Sequence, residues 1–203
     1  MTTDAERIIG LYQRHAHAWV EKRAKHSGPP MEAGWLDRFL GLLPSHPSVL
    51  DIGCGSGEPM SEYLIDRGCN VTGVDSAPEM IAICRKRYPR QTWRVADMRT
   101  LSLDHAFDGI LAWDSFFHLC HDDQRRMFPI FRAHAAPSAA LMFTSGPAHG
   151  EAIGTFEGER LYHASLDGTE YRALLEENGF AVVAHTIEDP KCGGHTVWLA
   201  RLR

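Results

Sequence analysis

The chain has little cysteine, no clustered basic charge and no long apolar run. Its five cysteines are odd in number and scattered, with no C-x-x-C pair. That spacing favours a reducing cytosol over a disulfide scaffold. The formal net charge is −5, and no basic tract offers itself to a polyanion, so a nucleic-acid partner is not expected. Lys22, Arg23 and Lys25 read as a solvated helix face. Arg85, Lys86 and Arg87 suit the last turn of a helix, where cations meet the negative end of its dipole. No segment is apolar for long enough to span a bilayer. The opening Met1–Arg7 lacks the apolar core of a secretory leader. Internal repeats and low-complexity tracts are also missing.

What remains is an ordinary globular composition. The 203 residues are 44% hydrophobic and 23% charged, which suits one domain around one substantial core. The most informative run is Val49-Leu50-Asp51-Ile52-Gly53-Cys54-Gly55-Ser56-Gly57-Glu58-Pro59. It begins as a buried strand and ends in a glycine-rich turn. A helix pattern follows, with Met60, Tyr63 and Leu64 on its apolar face. Gly53, Gly55 and Gly57 let the backbone turn sharply and let a ligand approach without meeting Cβ atoms. In open α/β sheets such a crevice at the carboxyl end of a strand is where ligands bind.

Three ligands compete for this turn. A P-loop needs a Lys after its glycines, and none follows here. A dinucleotide fingerprint needs a third small residue where Glu58 stands, and a carboxylate there repels a pyrophosphate. A ribose-bearing cation without phosphate avoids that conflict. S-adenosylmethionine, with its ammonium and sulfonium, is such a ligand. The run resembles the first motif of the class I S-adenosylmethionine-dependent methyltransferases, roughly V-L-D-x-G-C-G-x-G.

Later segments extend the resemblance, which covers about Val49 to Asp114. Val71–Asp75 reads as a second buried strand, and Asp75 stands about 20 residues past the turn, where an acid can take both hydroxyls of a ribose. Ser76 is a candidate cap for the next helix, with Pro78 in its first turn and Met80 on its inner face. Trp93–Met98 is a third strand. The resemblance implies that Asp97, or the backbone beside Met98, meets the adenine amino group. Phe107–Asp114 is a fourth strand, where Trp113 can border the sulfonium or adenine. Asp51 orders the turn or sits near the methionine ammonium, and Cys54 is an inert small residue within it. In similar enzymes an N-terminal helix closes over the cofactor, which implies that the Tyr12 hydroxyl can touch the cofactor's carboxylate.

The remaining pattern is α/β. The expected fold is a doubly wound, seven-stranded, mostly parallel sheet with an antiparallel last strand. Residues 1–44 form an N-terminal helical cap, 48–203 the Rossmann-like core, and 146–167 an insert near the active site. Ile8, Leu11, Tyr12, Ala16, Trp19 and Val20 predict one helix, broken at Gly28-Pro29-Pro30. Trp35–Leu43 predict a second. Pro129 is expected to kink or divide the helix that opens at Asp122. Ala140–Thr144 is a fifth strand, and two runs between residues 153 and 163 pair as a small hairpin. The final runs, Phe180–Ala184 and Thr196–Ala200, form an antiparallel hairpin whose loop lies on the cofactor side.

Methyl transfer from a sulfonium needs alignment, exclusion of water and, for some acceptors, removal of a proton. The residues after the fourth strand, Asp114-Ser115-Phe116-Phe117, lack the prolines of the [DN]-P-P-[YFW] signature of exocyclic- and amide-nitrogen methylases. With the acidic charge, this departure points to a small-molecule acceptor. The chain has 12 histidines, and His118, His121, His149, His163 and His195 fall on segments near the expected cofactor side. His118 first and His149 second are the candidate bases. A metal site from His149, His163, Cys192 and His195 matches no known spacing. A non-catalytic module that binds S-adenosylmethionine as sensor or scaffold is the main rival reading, and a nicotinamide oxidoreductase the third. The oligomeric state, the acceptor and its atom are not readable.

Overall fold

The computed structural model describes residues 3–23 and 30–203. Its centre is a seven-stranded sheet, flanked by helices on both faces. The chain enters through α1 (Asp4–Arg14), α2 (Ala16–Arg23) and α3 (Ala33–Leu40). Then β1 (Ser48–Ile52), α4 (Met60–Asp66), β2 (Asn70–Asp75), α5 (Pro78–Arg87), β3 (Thr92–Val95) and β4 (Phe107–Ala112) alternate. They are followed by α6 (His121–His134), β5 (Ala135–Ser145), the hairpin β6 (Gly150–Phe156) and β7 (Glu159–Ser165), then α7 (Gly168–Glu177). The chain finishes with β8 (Phe180–Asp189) and β9 (His195–Leu202).

The sheet order is β3-β2-β1-β4-β5-β9-β8. Strands β1 to β5 pair in parallel, and β9 runs antiparallel to both β5 and β8. Because β8 is antiparallel to β9, it is parallel to the first five strands. Its exit loop therefore lies at their carboxyl ends, as the sequence predicts.

The strands are apolar on both sides because both faces are covered. Leu50, Ile52, Ile110, Leu141, Phe143 and Trp198 face a cluster built with Phe128 and Phe131 of α6 and Tyr171 of α7. Val49, Leu111, Met142 and Leu199 face Trp35 and Phe39 of α3, Leu64 of α4 and Ile81 of α5. Thus α3 packs against the sheet, while α1 forms a smaller cluster with β7 through Ile8, Tyr162 and Ala164.

Four local expectations differ from the structure. The single N-terminal helix is two, because His15 leaves helical geometry at φ −111° and ψ 22° and caps α1. The Gly28–Pro29 part of the predicted break lies outside the described residues. Ser76 is not the cap of α5: Ala77 occupies that position without a side-chain bond, and its N–H is held by Asp75. Pro129 does not divide α6, which runs unbroken for 14 residues. Its apolar side, Met127, Phe128 and Phe131, is buried in the core, and that packing outweighs the lost backbone bond. The fifth strand also starts earlier than its apolar run, at Ala135. No helix among the described residues is long and apolar enough to cross a membrane.

Candidate functional site

The carboxyl ends of β1, β2 and β4 open onto a cavity whose empty space, part of it open to solvent, is about 830 Å³. Its floor is the glycine turn. The N–H groups of Gly53 and Cys54 both donate to the Val74 carbonyl, at 2.8 and 3.0 Å, so the turn is pinned to β2. Gly53 has φ +76°, and a Cβ there would overlap Ser115. Gly55 has φ +53°, and among the described residues a Cβ there would meet only Trp19 Nε1, at 3.7 Å. Gly53 is thus required by protein packing, whereas Gly55 borders open space. Gly57 differs again, since its missing Cβ faces Tyr88 and Cys84 behind the turn.

Asp75 ends β2 and joins the turn to the next helix. One carboxylate oxygen accepts from Gly55 N–H at 2.9 Å and the other from Ala77 N–H at 2.8 Å. Burial raises its pKa, and the three amides of Ala77, Gly55 and Ser76 oppose that shift. The side chain lines the cavity with Ser76 and Met80. Asp97 caps the turn that carries Met98, and its carboxylate is gripped by Arg99 at 2.6 Å. That bond holds Asp97 below the usual carboxylate range. Asp97, Met98 and Arg99 line the same cavity.

Asp51 lies beneath the turn, 2% exposed. Ser61 of α4 donates to it at 2.6 Å. Burial pushes its pKa up to about 7, with Asp75 adding to the rise and Ser61 opposing it. The thiol of Cys54 is buried and directed at the Gly55 carbonyl, 3.7 Å away. Desolvation raises its pKa, which suits an inert packing role.

The opposite wall comes from the N-terminal helices and the segment after β4. Tyr12 and Trp19 meet edge to face, with ring centres 5.3 Å apart, and both line the cavity. The Tyr12 hydroxyl lies 2.9 Å from His118 Nε2, and His118 Nδ1 lies 2.7 Å from the Tyr162 carbonyl. A carbonyl only accepts, so Nδ1 carries the proton and Nε2 accepts from Tyr12. Burial lowers the His118 pKa to about 4, so the ring is neutral near pH 7. His163 packs beside it at 4.9 Å.

A second cavity, about 350 Å³, shares Trp19, Gly53, Gly55 and Asp114 with the first. Asp114 follows β4 with φ +48°, a left-handed conformation that Asp tolerates better than most residues. Its carboxylate lies 3.5 Å from Arg23 Nη1 and 2.9 Å from His195 Nε2. The contact with His195 is a charge contact, because Asp114 Oδ1 makes no aligned hydrogen bond. The Asp114 charge, with the Cys192 carbonyl at 2.6 Å from Nδ1, raises the His195 pKa. Trp113 packs on His195 and lines the smaller cavity.

The structure therefore separates the candidate histidines. His118 and His163 stand together beside Tyr12. His195 serves Asp114. His149 stacks on His121 with ring centres 4.5 Å apart and is not among the cavity-lining residues. The Tyr12 hydroxyl is directed at His118. Arg23 and Arg99 also line the cavities but carry no sequence signal that separates them from surface cations. The sequence marks Asp114 as the acid that ends the fourth strand and opens the Asp114–Phe117 segment, but not as a partner of Arg23 and His195. No cluster of metal-holding geometry occurs among the described residues.

Comparison with known proteins agrees with this layout. Residues 49–138 match the profile of a methyltransferase domain. The ubiquinone biosynthesis O-methyltransferase of Pseudomonas aeruginosa is 36% identical over 81 residues, which cover 38% of this chain and 34% of that protein. The malonyl-[acyl-carrier protein] O-methyltransferase of Serratia marcescens is 29% identical over 67% of this chain and 55% of its own length. The match thus spans about half, or less, of these curated relatives. Among solved structures, the amino pentose methyltransferase from Micromonospora echinaspora, bound to S-adenosylmethionine, aligns with TM-score 0.73 at 20% identity, over 92% of this chain and 96% of that one. The 1,6-didemethyltoxoflavin-N1-methyltransferase of Burkholderia thailandensis aligns with TM-score 0.70 at 22% identity, over 98% and 86%. The methyltransferase-domain match thus runs from β1 into β5, and the fold is shared with these two structures over 92% and 98% of this chain.

Proposed function

We propose that the protein binds S-adenosylmethionine between the glycine turn and the N-terminal helices and transfers its methyl group to a small-molecule oxygen or nitrogen. The observation that carries this reading is the open space in front of Gly55, with Asp75 on one side and Tyr12 and His118 on the other. The cofactor's ribose would meet Asp75 and its adenine the Asp97–Met98 segment, with Asp51, Gly53 and Cys54 beneath its amino-acid end. When bound, it supplies an electrophilic methyl group on a sulfonium. We further propose a cytosolic location, in keeping with five free cysteines.

The chain's own residues supply alignment and a proton path. Because His118 Nδ1–H is spent on the Tyr162 carbonyl, Nε2 is the only ring nitrogen that can accept. An acceptor that takes the place of the Tyr12 hydroxyl would give its proton to Nε2, in the neutral ring that can receive it. Tyr12, Trp19 and Phe156 form an aromatic wall that keeps water from the reacting atoms. We assign the proton role to His118 alone, since His149 stands outside the cavity lining.

Calorimetry with S-adenosylhomocysteine, NAD and NADP tests the cofactor. Binding of the first and weak or no binding of the others is expected; tighter NAD or NADP binding would refute the assignment. Turnover with any acceptor from a panel of small hydroxyl and amine compounds separates an enzyme from a sensor module.

A further inference from the structure

The seat in front of His118 Nε2 already holds an aromatic hydroxyl. The Tyr12 hydroxyl lies 2.9 Å from that nitrogen. The Tyr12 ring meets Trp19 edge to face at 5.3 Å and lies 6.2 Å from Phe156. Phe117 and His163 pack on the His118 ring, with centres 4.8 and 4.9 Å away. A hydroxyl carried on a flat ring thus fits both the hydrogen bond and the aromatic walls. Tyr12 belongs to the cap rather than to the sheet, since α1 packs on β7 through Ile8, Tyr162 and Ala164. Its hydroxyl can leave Nε2 while the sheet stays as it is.

The histidine behind this seat selects the acceptor's chemistry. His118 is 6% exposed, and its Nδ1–H is held by the Tyr162 carbonyl at 2.7 Å. A histidine that takes a proton from a weakly acidic hydroxyl is helped by a carboxylate behind it, which stabilises the imidazolium. Here the group behind the ring is neutral. Burial also outweighs the pull of that carbonyl and of Asp114, so the ring is a weak base. A saturated alcohol holds its proton too tightly for such a base. A protonated amine has no free electron pair for a methyl group until it has lost a proton to the same weak base. A phenol gives up its proton far more readily than a saturated alcohol, and its ring matches the walls.

We propose that the acceptor is a phenol whose hydroxyl replaces that of Tyr12 on His118 Nε2; this names the acceptor class of the methyltransferase reading above and rests on it. The phenol O–H bond breaks, its proton passes to Nε2, and the freed oxygen pair bonds the methyl carbon. The methyl–sulfur bond breaks with its pair left on sulfur. The one positive charge, brought by the sulfonium, ends on the imidazolium, which then releases its proton to water. Tyr12 is the placeholder that fills the seat when no acceptor is present.

The test compares phenol with cyclohexanol and cyclohexylamine, which are of similar size. NMR titration of the ligand signals, on protein saturated with S-adenosylhomocysteine, reads their affinities. Phenol should bind at least about tenfold more tightly than either saturated compound. Y12F keeps the wall but frees Nε2, so it should bind phenol about threefold or more tightly than wild type does. H118A should lose most of the preference for phenol over cyclohexanol. With S-adenosylmethionine, mass spectrometry should find anisole and no cyclohexyl methyl ether. Phenol binding no tighter than cyclohexanol or cyclohexylamine in the wild type overturns the proposal, whatever the variants do. So does a folded Y12F whose phenol affinity is unchanged or weaker, or an H118A that keeps the full preference. Failure of the wild type to bind S-adenosylhomocysteine in calorimetry overturns the cofactor reading instead.

Discussion

Replacing Asp51 by Asn should make the unliganded protein more stable, and by an amount that grows with pH. The carboxyl group is buried, and its pKa is pushed from 3.8 to about 7. In the unfolded chain it gives up its proton near pH 4, whereas in the fold it keeps it until near pH 7. Between those limits the folded state holds more protons than the unfolded one, so raising the pH removes stability, and the loss levels off about one unit above pH 7. A shift of roughly three units corresponds to about 4 kcal/mol at the plateau. Asn does not titrate, and its amide oxygen can still accept from the Ser61 hydroxyl. The variant should therefore match wild type near pH 4 and exceed it increasingly up to pH 8. Urea unfolding of both proteins at steps between these limits measures the difference. Other titrating groups cancel in that difference, so a constant gap between the two proteins would show that Asp51 carries no raised pKa. The same variant should bind S-adenosylhomocysteine more weakly, because it lacks the charge offered to the ammonium.

Other expected outcomes concern the cavity directly. Asp75→Ala removes ribose acceptors and the anchor of Gly55, and S-adenosylhomocysteine affinity should fall by at least about tenfold by calorimetry; an unchanged affinity would place the ribose elsewhere. Gly55→Val puts a branched side chain at φ +53° and into open space, so it should abolish cofactor binding while circular dichroism still reports a folded sheet. His118→Ala should leave S-adenosylhomocysteine affinity nearly intact and lower turnover by about 100- to 10,000-fold for an acceptor that must lose a proton. Full turnover in that variant would mean that the acceptor needs no base. With a His118 pKa of about 4, the ring is protonated only in acid, and the wild-type rate should show no histidine inflection between pH 6 and 8.

The sheet was legible because its cause is local. The runs at Val49–Ile52, Val71–Val74 and Ile110–Ala112 put apolar residues on both faces of the strand, and only strands covered on both faces can afford that. The glycine turn was legible for a similar reason, since its positive φ values exclude most side chains. Helix details were less so. Pro129 predicts a kink or a division, but the burial of Phe128 and Phe131 keeps the helix undivided. Ser76 looks like a cap, but Asp75 reaches the Ala77 amide first.

The site divides along the same line. Asp51, Gly53, Gly55, Asp75 and Asp97 sit in or beside strand ends that face one edge of the sheet, and a strand order implied by βαβ repetition brings them together. Sequence alone therefore determined the fold class and which residues gather at this edge of the sheet. The rest depends on contacts between distant segments. The Tyr12–His118 bond spans 106 positions, and Arg23, Asp114 and His195 come from α2, the segment after β4, and β9. Which of the 12 histidines meets a tyrosine, a carboxylate or another histidine depends on how those elements pack. Only the tertiary structure decided it, because burial and partner, rather than residue type, set the charge a histidine carries.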